Sequence, residues 1–102
     1  MKGITVKELF IMFQHKDDFQ LIDVREDFEH EAFNIGGTLI PLSQISQHIE
    51  LIDKNKPVVV YCRKGIRSQI AIQRLQEKFP FHNLVNLIGG TEAWISENEI
   101  EK

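Results

Sequence analysis

The chain has one cysteine in 102 residues, Cys62, so it forms no internal disulfide and its fold does not depend on an oxidising compartment. It also lacks any apolar run near the ~20 residues that cross a bilayer, so no membrane is expected. The opening MKGITVKELFIMF places a lysine before apolar residues, but Glu8 interrupts them and no small-residue cleavage site follows. We read it as mature protein and not a signal peptide, with a cytoplasmic location as the default. A net charge of −3 gives no reason to expect nucleic acid. Repeats, low-complexity segments and interdomain linkers are absent, and the length predicts one domain, 1–102, that buries a modest core.

What the chain does have is an alternation of strand and helix signals. Thr5-Val-Lys-Glu8 is a capping box flanked by the staple pair Ile4 and Leu9, which predicts a helix over about 6–14. FQLIDV (19–24) reads as a short buried strand leading into Arg25. Residues 26–42 hold no sustained period, and Gly36-Gly37 and Pro41 mark a structured loop with at most one helical turn. Ser43 is placed to cap a helix over about 44–52. VVVYC after Pro57 is apolar on both faces, as in the middle of a parallel sheet. A helix follows over 68–79 and stops at Pro80; NLVNLIGG (83–90) is another strand, and Thr91 is placed to cap a last helix carrying Trp94. This alternation predicts an α/β fold with a parallel sheet covered on both faces. Ligands in such sheets bind at the carboxyl ends of strands, where Asp23 to Arg25, Cys62 and Gly89-Gly90 all fall.

A lone cysteine is most often a small buried hydrophobe. Cys62 stands instead at a strand end, in YCRKGIRS, with Arg63, Lys64 and Arg67 around it. A loop from Cys62 to a helix starting near Arg67 is able to curl its N–H groups inward as an anion-binding nest, and Gly65 supplies the backbone freedom. The helix N-terminus and the three cations favour thiolate over thiol, and the same features hold an anionic substrate or a sulfur-bound intermediate.

The stretch VVVYCRKGIRS resembles the active-site segment of the rhodanese family of sulfurtransferases, LIDVRE (21–26) its segment of that form, and LIGGTEAW (87–94) its glycine-rich stretch before the last helix. The resemblance spans nearly the whole chain. It implies a central parallel sheet of about five strands with helices on both faces, and a persulfide carried on Cys62. It also implies that the backbone of Arg63, Lys64, Gly65, Ile66 and Arg67 forms the substrate loop, with Ser68, Asp23 and Arg25 in support. The implied partners are a small sulfur donor such as thiosulfate or a persulfide, and a thiol, cyanide or protein acceptor, with no metal or organic cofactor. Cys62 to Arg67 is C-x₄-R, as in sulfurtransferases. Related phosphatases and arsenate reductases have one residue more, to surround a tetrahedral oxyanion. A non-catalytic binding module of the same fold is the other alternative. The family commonly reads G-H-I-P-G-A-x-N-I-P where this chain has AFNIGGTLIP (32–41), with Phe33 for the His, Ile35 for the Pro and Leu39 for the Asn.

Other residues admit two readings. Asp23 and Arg25 are either catalytic or, the preferred reading, a charged pair pinning loops at the sheet edge. Arg67 makes either an anion contact or a salt bridge within the loop. Arg63 and Lys64 are expected to point outward and set the field at the pocket mouth. His15, His30, His48 and His82 show no metal-ligand spacing and read as surface residues. Trp94 reads as core; Phe28 and Phe33 either line the pocket or, the preferred reading, pack in the core.

Overall fold

The structure, a computed structural model, describes residues 1–98; the last four positions of the expected domain, 99–102, lie outside the described residues. Among the described residues four α-helices and five strands are formed, together with 3₁₀ turns. In chain order they are β1 (Gly3–Ile4), α1 (Val6–Gln14), β2 (Gln20–Asp23), α2 (Asp27–Ala32), β3 (Thr38–Leu39), β4 (Val58–Tyr61), α3 (Ile66–Lys78), β5 (Leu84–Leu87) and α4 (Gly90–Glu97). The strands make one five-stranded sheet in the order β1-β5-β4-β2-β3, and every neighbouring pair is parallel.

The central strands β2, β4 and β5 are apolar on both faces because both faces are covered. Side chains alternate across each strand. Ile22, Val58 and Val60 therefore join Ile72 and Leu75 of α3 in one core. Leu21, Val59 and Tyr61 join Leu9 of α1 in the other, with Trp94 of α4 packed against it. The capping box that starts α1 is formed as the sequence implies: Glu8 N–H donates to Thr5 Oγ1 (3.1 Å) and Thr5 N–H to Glu8 Oε1 (2.9 Å).

Several boundaries differ from the sequence reading, each for a local reason. The segment expected as an α-helix over 44–52 forms two 3₁₀ turns, Leu42–Gln47 and Ile49–Leu51. Three apolar residues at helical spacing do not distinguish one tight turn from another, and Ser43 lies inside the first turn instead of capping a helix. α3 begins two residues earlier than expected, because Gly65 (φ 94°) takes the cap in a left-handed conformation. Gly89 (φ 80°) does the same for α4, so Thr91 is a buried residue of that helix and not its cap. The edge strands β1 and β3 are two residues each, too short to leave a period in the sequence. Among the described residues no helix is long and apolar enough to cross a membrane.

Candidate active site

Cys62 leaves the carboxyl end of β4 and is buried, 1% exposed. The chain turns at once into the loop that begins α3. Two backbone donors point at the sulfur: Gly65 N–H lies 3.1 Å and Ser68 N–H 3.4 Å from Cys62 Sγ. Ser68 Oγ is also 3.4 Å from Sγ. These are the orphan donors of a helix N-terminus, directed at one atom.

The loop is held in this curl from behind by α4. Thr91 N–H donates to Cys62 O (2.9 Å) and Glu92 N–H to Arg63 O (3.0 Å). In a trans peptide the carbonyl of one residue and the N–H of the next point in opposite directions. Pinning the carbonyls of Cys62 and Arg63 on α4 therefore turns the N–H groups of Arg63 and Lys64 away from α4. So close an approach requires glycine. A Cβ on Gly90 (φ 58°) would meet Cys62 O at 2.2 Å, and one on Gly65 would meet Gly89 N at 3.1 Å.

Of the three cations, Arg63 and Lys64 are exposed, as expected, and Arg67 is half-buried. Arg67 forms a bidentate pair with Glu29 of α2, at 2.7 and 2.8 Å, so its salt bridge leaves the loop instead of staying within it. The Arg67 hydrogen bonds hold the Glu29 carboxyl down to about 2, and Glu29 in turn raises the Arg67 guanidinium above its usual value. Arg63 Nε donates to Glu92 (3.0 Å) and is more than half exposed, which matches an outward residue but offsets its charge. Lys64 is exposed and makes no ion pair among the described residues. A cavity of about 240 Å³ at the loop is lined by Cys62, Arg63, Lys64, Ile66 and Arg67.

Asp23 and Arg25 form a buried pair, 2.8 Å between Asp23 Oδ2 and Arg25 Nη2. Arg25 N–H and Nε also donate to Asp23, and Nη2 donates to Phe33 O at 2.6 Å. Burial works against the Arg25 charge, and Asp23 more than offsets it. The pair pins the chain after α2 against the end of β2 and makes no contact with the sulfur. His30 belongs to this cluster, with Nδ1 at 2.8 Å from Asp23 Oδ2. The surface reading missed it because His30 meets Asp23 only after α2 folds back. Glu29 was missed likewise. Its signal was present: it stands at the third position of a short helix just after Arg25, and its partner is 38 residues away.

Phe28 is 72% exposed, not core. With Phe33, Ala32, Ile95 and Arg63 it lines a cleft of about 260 Å³ beside the loop. A larger depression of about 420 Å³ includes Gln20, Asp53 and Lys56. It lies at the amino ends of the strands, the edge opposite the one where such sheets bind ligands.

Comparison with known proteins gives a family-model match to the rhodanese-like domain over residues 6–97. The chain belongs to the rhodanese-like domain family. Among solved structures, a rhodanese-like domain protein from Staphylococcus aureus superposes with a TM-score of 0.83 at 30% identity, covering 92% of this chain and 91% of that one. A rhodanese-related protein from Thermoplasma volcanium gives 0.81 at 26% identity, with 95% and 93% covered. The thiosulfate sulfurtransferase GlpE of Coxiella burnetii is 39% identical over 80 residues, 78% of this chain and 74% of its own length. The adenylyltransferase and sulfurtransferase MOCS3 of Drosophila sechellia is 39% identical over 101 residues, 91% of this chain. The chain spans 22% of that relative's length and equally little of other MOCS3 proteins. In this rhodanese domain Phe33, the first departure from the family pattern in 32–41, lines the cleft beside the loop, whereas Ile35 packs against the core that holds Tyr61 and Leu39 lies in β3.

Proposed function

We propose that this rhodanese domain is a sulfurtransferase in which Cys62 carries a sulfane sulfur. The observation that carries the reading is the pair of backbone N–H groups, Gly65 and Ser68, at 3.1 and 3.4 Å from a single buried sulfur. Such donors stabilise a thiolate, the nucleophilic form, without a metal or an organic cofactor.

In the proposed cycle the Cys62 thiolate attacks the outer sulfur of thiosulfate or a persulfide. The new Sγ–S bond forms as the donor's S–S bond breaks, and the electron pair leaves with sulfite or a thiolate. The terminal sulfur of the resulting persulfide sits among the N–H groups of the loop from Arg63 to Arg67. An acceptor thiol, cyanide or a protein nucleophile then attacks that terminal sulfur and regenerates the Cys62 thiolate. Asp23 and Arg25 support the loop mouth by holding the segment after α2. The sulfurtransferase names of the GlpE and MOCS3 relatives point the same way.

Phosphate or arsenate chemistry fits less well. The loop is one residue short of an oxyanion cradle, and both terminal nitrogens of Arg67 are engaged by Glu29. Thiosulfate:cyanide sulfurtransferase activity, assayed beside aryl-phosphate hydrolysis on the same preparation, tests the choice. Sulfur transfer that disappears in Cys62→Ser is expected. Phosphate hydrolysis faster than sulfur transfer, or full sulfur transfer in Cys62→Ser, contradicts it.

A further inference from the structure

One buried polar side chain close to the sulfur has no part in the cycle above. Asn86, on β5, is 5% exposed and lies beneath the start of α3. The Ser68 hydroxyl donates to Asn86 Oδ1, while Ser68 Oγ itself stands 3.4 Å from Cys62 Sγ. A serine hydroxyl has one proton to donate. Two acceptors, Asn86 Oδ1 and Sγ, therefore compete for it.

We propose that Asn86 is a positioning residue that sets the balance between the thiolate and persulfide forms of Cys62 by competing with the sulfur for the Ser68 proton. The inference rests on the sulfur-transfer reading. In the thiolate form Sγ carries full charge and attracts the Ser68 O–H. Turning toward the sulfur leaves the buried Asn86 oxygen without its donor, so the gain at sulfur is offset. In the persulfide form the charge resides on the terminal sulfur, and Sγ is a weak acceptor. Ser68 then donates to Asn86 with no conflict. Asn86 thus favours the loaded enzyme over the empty one. The equilibrium concerned is Cys62–S⁻ plus thiosulfate giving Cys62–S–S⁻ plus sulfite. The bond between the sulfane and sulfonate sulfurs breaks, its electron pair leaves with sulfite, and no proton is transferred.

The test measures the loading equilibrium constant from the persulfide fraction, read by intact mass at fixed thiosulfate-to-sulfite ratios and one pH. The proteins are wild type, Asn86→Leu, Ser68→Ala and the double variant. Without Asn86 the Ser68 proton goes to the thiolate unopposed, and the constant should fall about tenfold, the scale of one charge-assisted hydrogen bond. In the Ser68→Ala background the same Asn86 change should have no effect. If Leu does not fit, Asn86→Val, smaller and suited to a strand, carries the same expectation. A residue that only packs β5 under α3 would slow loading and discharge together and leave the constant unchanged. An unchanged constant, or an equal fall in both backgrounds, overturns the inference while leaving sulfur transfer intact. Absence of any persulfide in the wild type overturns the sulfur-transfer reading itself, and this inference with it.

Discussion

Replacing Gly90 by alanine should damage sulfur loading and stability together, because Gly90 is where α4 closes on the Cys62 loop. The added Cβ would stand 2.2 Å from Cys62 O and 2.6 Å from Arg63 C and O, all of them backbone atoms. Ordinary van der Waals contact requires these atoms to retreat by about an ångström. The left-handed φ of 58° adds strain of ~1–2 kcal/mol for a residue with a Cβ. The bonds from Thr91 and Glu92 to the loop carbonyls would stretch, each worth ~0.5–1.5 kcal/mol. Together the loss is about 2–5 kcal/mol. A displacement of that size around a reacting atom costs ~10² in rate. Gly36→Ala is the control: Gly36 has φ 110°, but a Cβ there would meet nothing within 4 Å, so strain acts without a clash. Urea unfolding and the rate of sulfur uptake from thiosulfate are measured on both variants. Gly90→Ala that is no less stable than Gly36→Ala and loads at the wild-type rate would refute the reasoning.

Glu29→Gln should weaken the tie between α2 and the loop by about 1–2 kcal/mol, less than the full carboxyl shift implies because Arg67 is one-third exposed. The folded carboxyl is held at about 2 against an ordinary 4.5, so this stabilisation is present above about 4.5 and is lost as pH falls toward 2. Urea midpoints of wild type and Glu29→Gln should therefore differ at pH 6 and by clearly less at pH 3, where part of the gap remains because the folded carboxyl is still ionised; a gap that is constant with pH contradicts the assignment. Asp23→Asn leaves the Arg25 guanidinium buried without its counter-charge and should cost about 3–5 kcal/mol in urea unfolding, whereas a loss below about 1 kcal/mol would show that the pair does not hold the sheet edge.

The fold was legible where physics is local. The Thr5–Glu8 capping box, the two-faced apolar run Val58–Tyr61 and the glycines after β5 each declare their element within a few residues. The place of Cys62 was legible for the same reason, since the apolar strand before it and Gly65 after it fix it at the carboxyl end of β4. What escaped were contacts made across the sequence. Glu29 reaches Arg67 over 38 positions, and Ser68 reaches Asn86 over 18. Nothing in the charge run at 62–67 reveals that Arg63 and Arg67 are met by carboxylates from α4 and α2. Phe28 was misassigned because α2 is a single short helix without a buried residue, so its aromatic has no core to enter.

Sulfur transfer through Cys62 is tested most directly by the intact mass of the protein after incubation with thiosulfate and removal of excess reagent. A gain of one sulfur, ~32 Da, is expected on wild type, reversed by cyanide or a thiol and absent in Cys62→Ser. A wild-type protein that gains no mass, or a Cys62→Ser variant that gains the same mass, would contradict it.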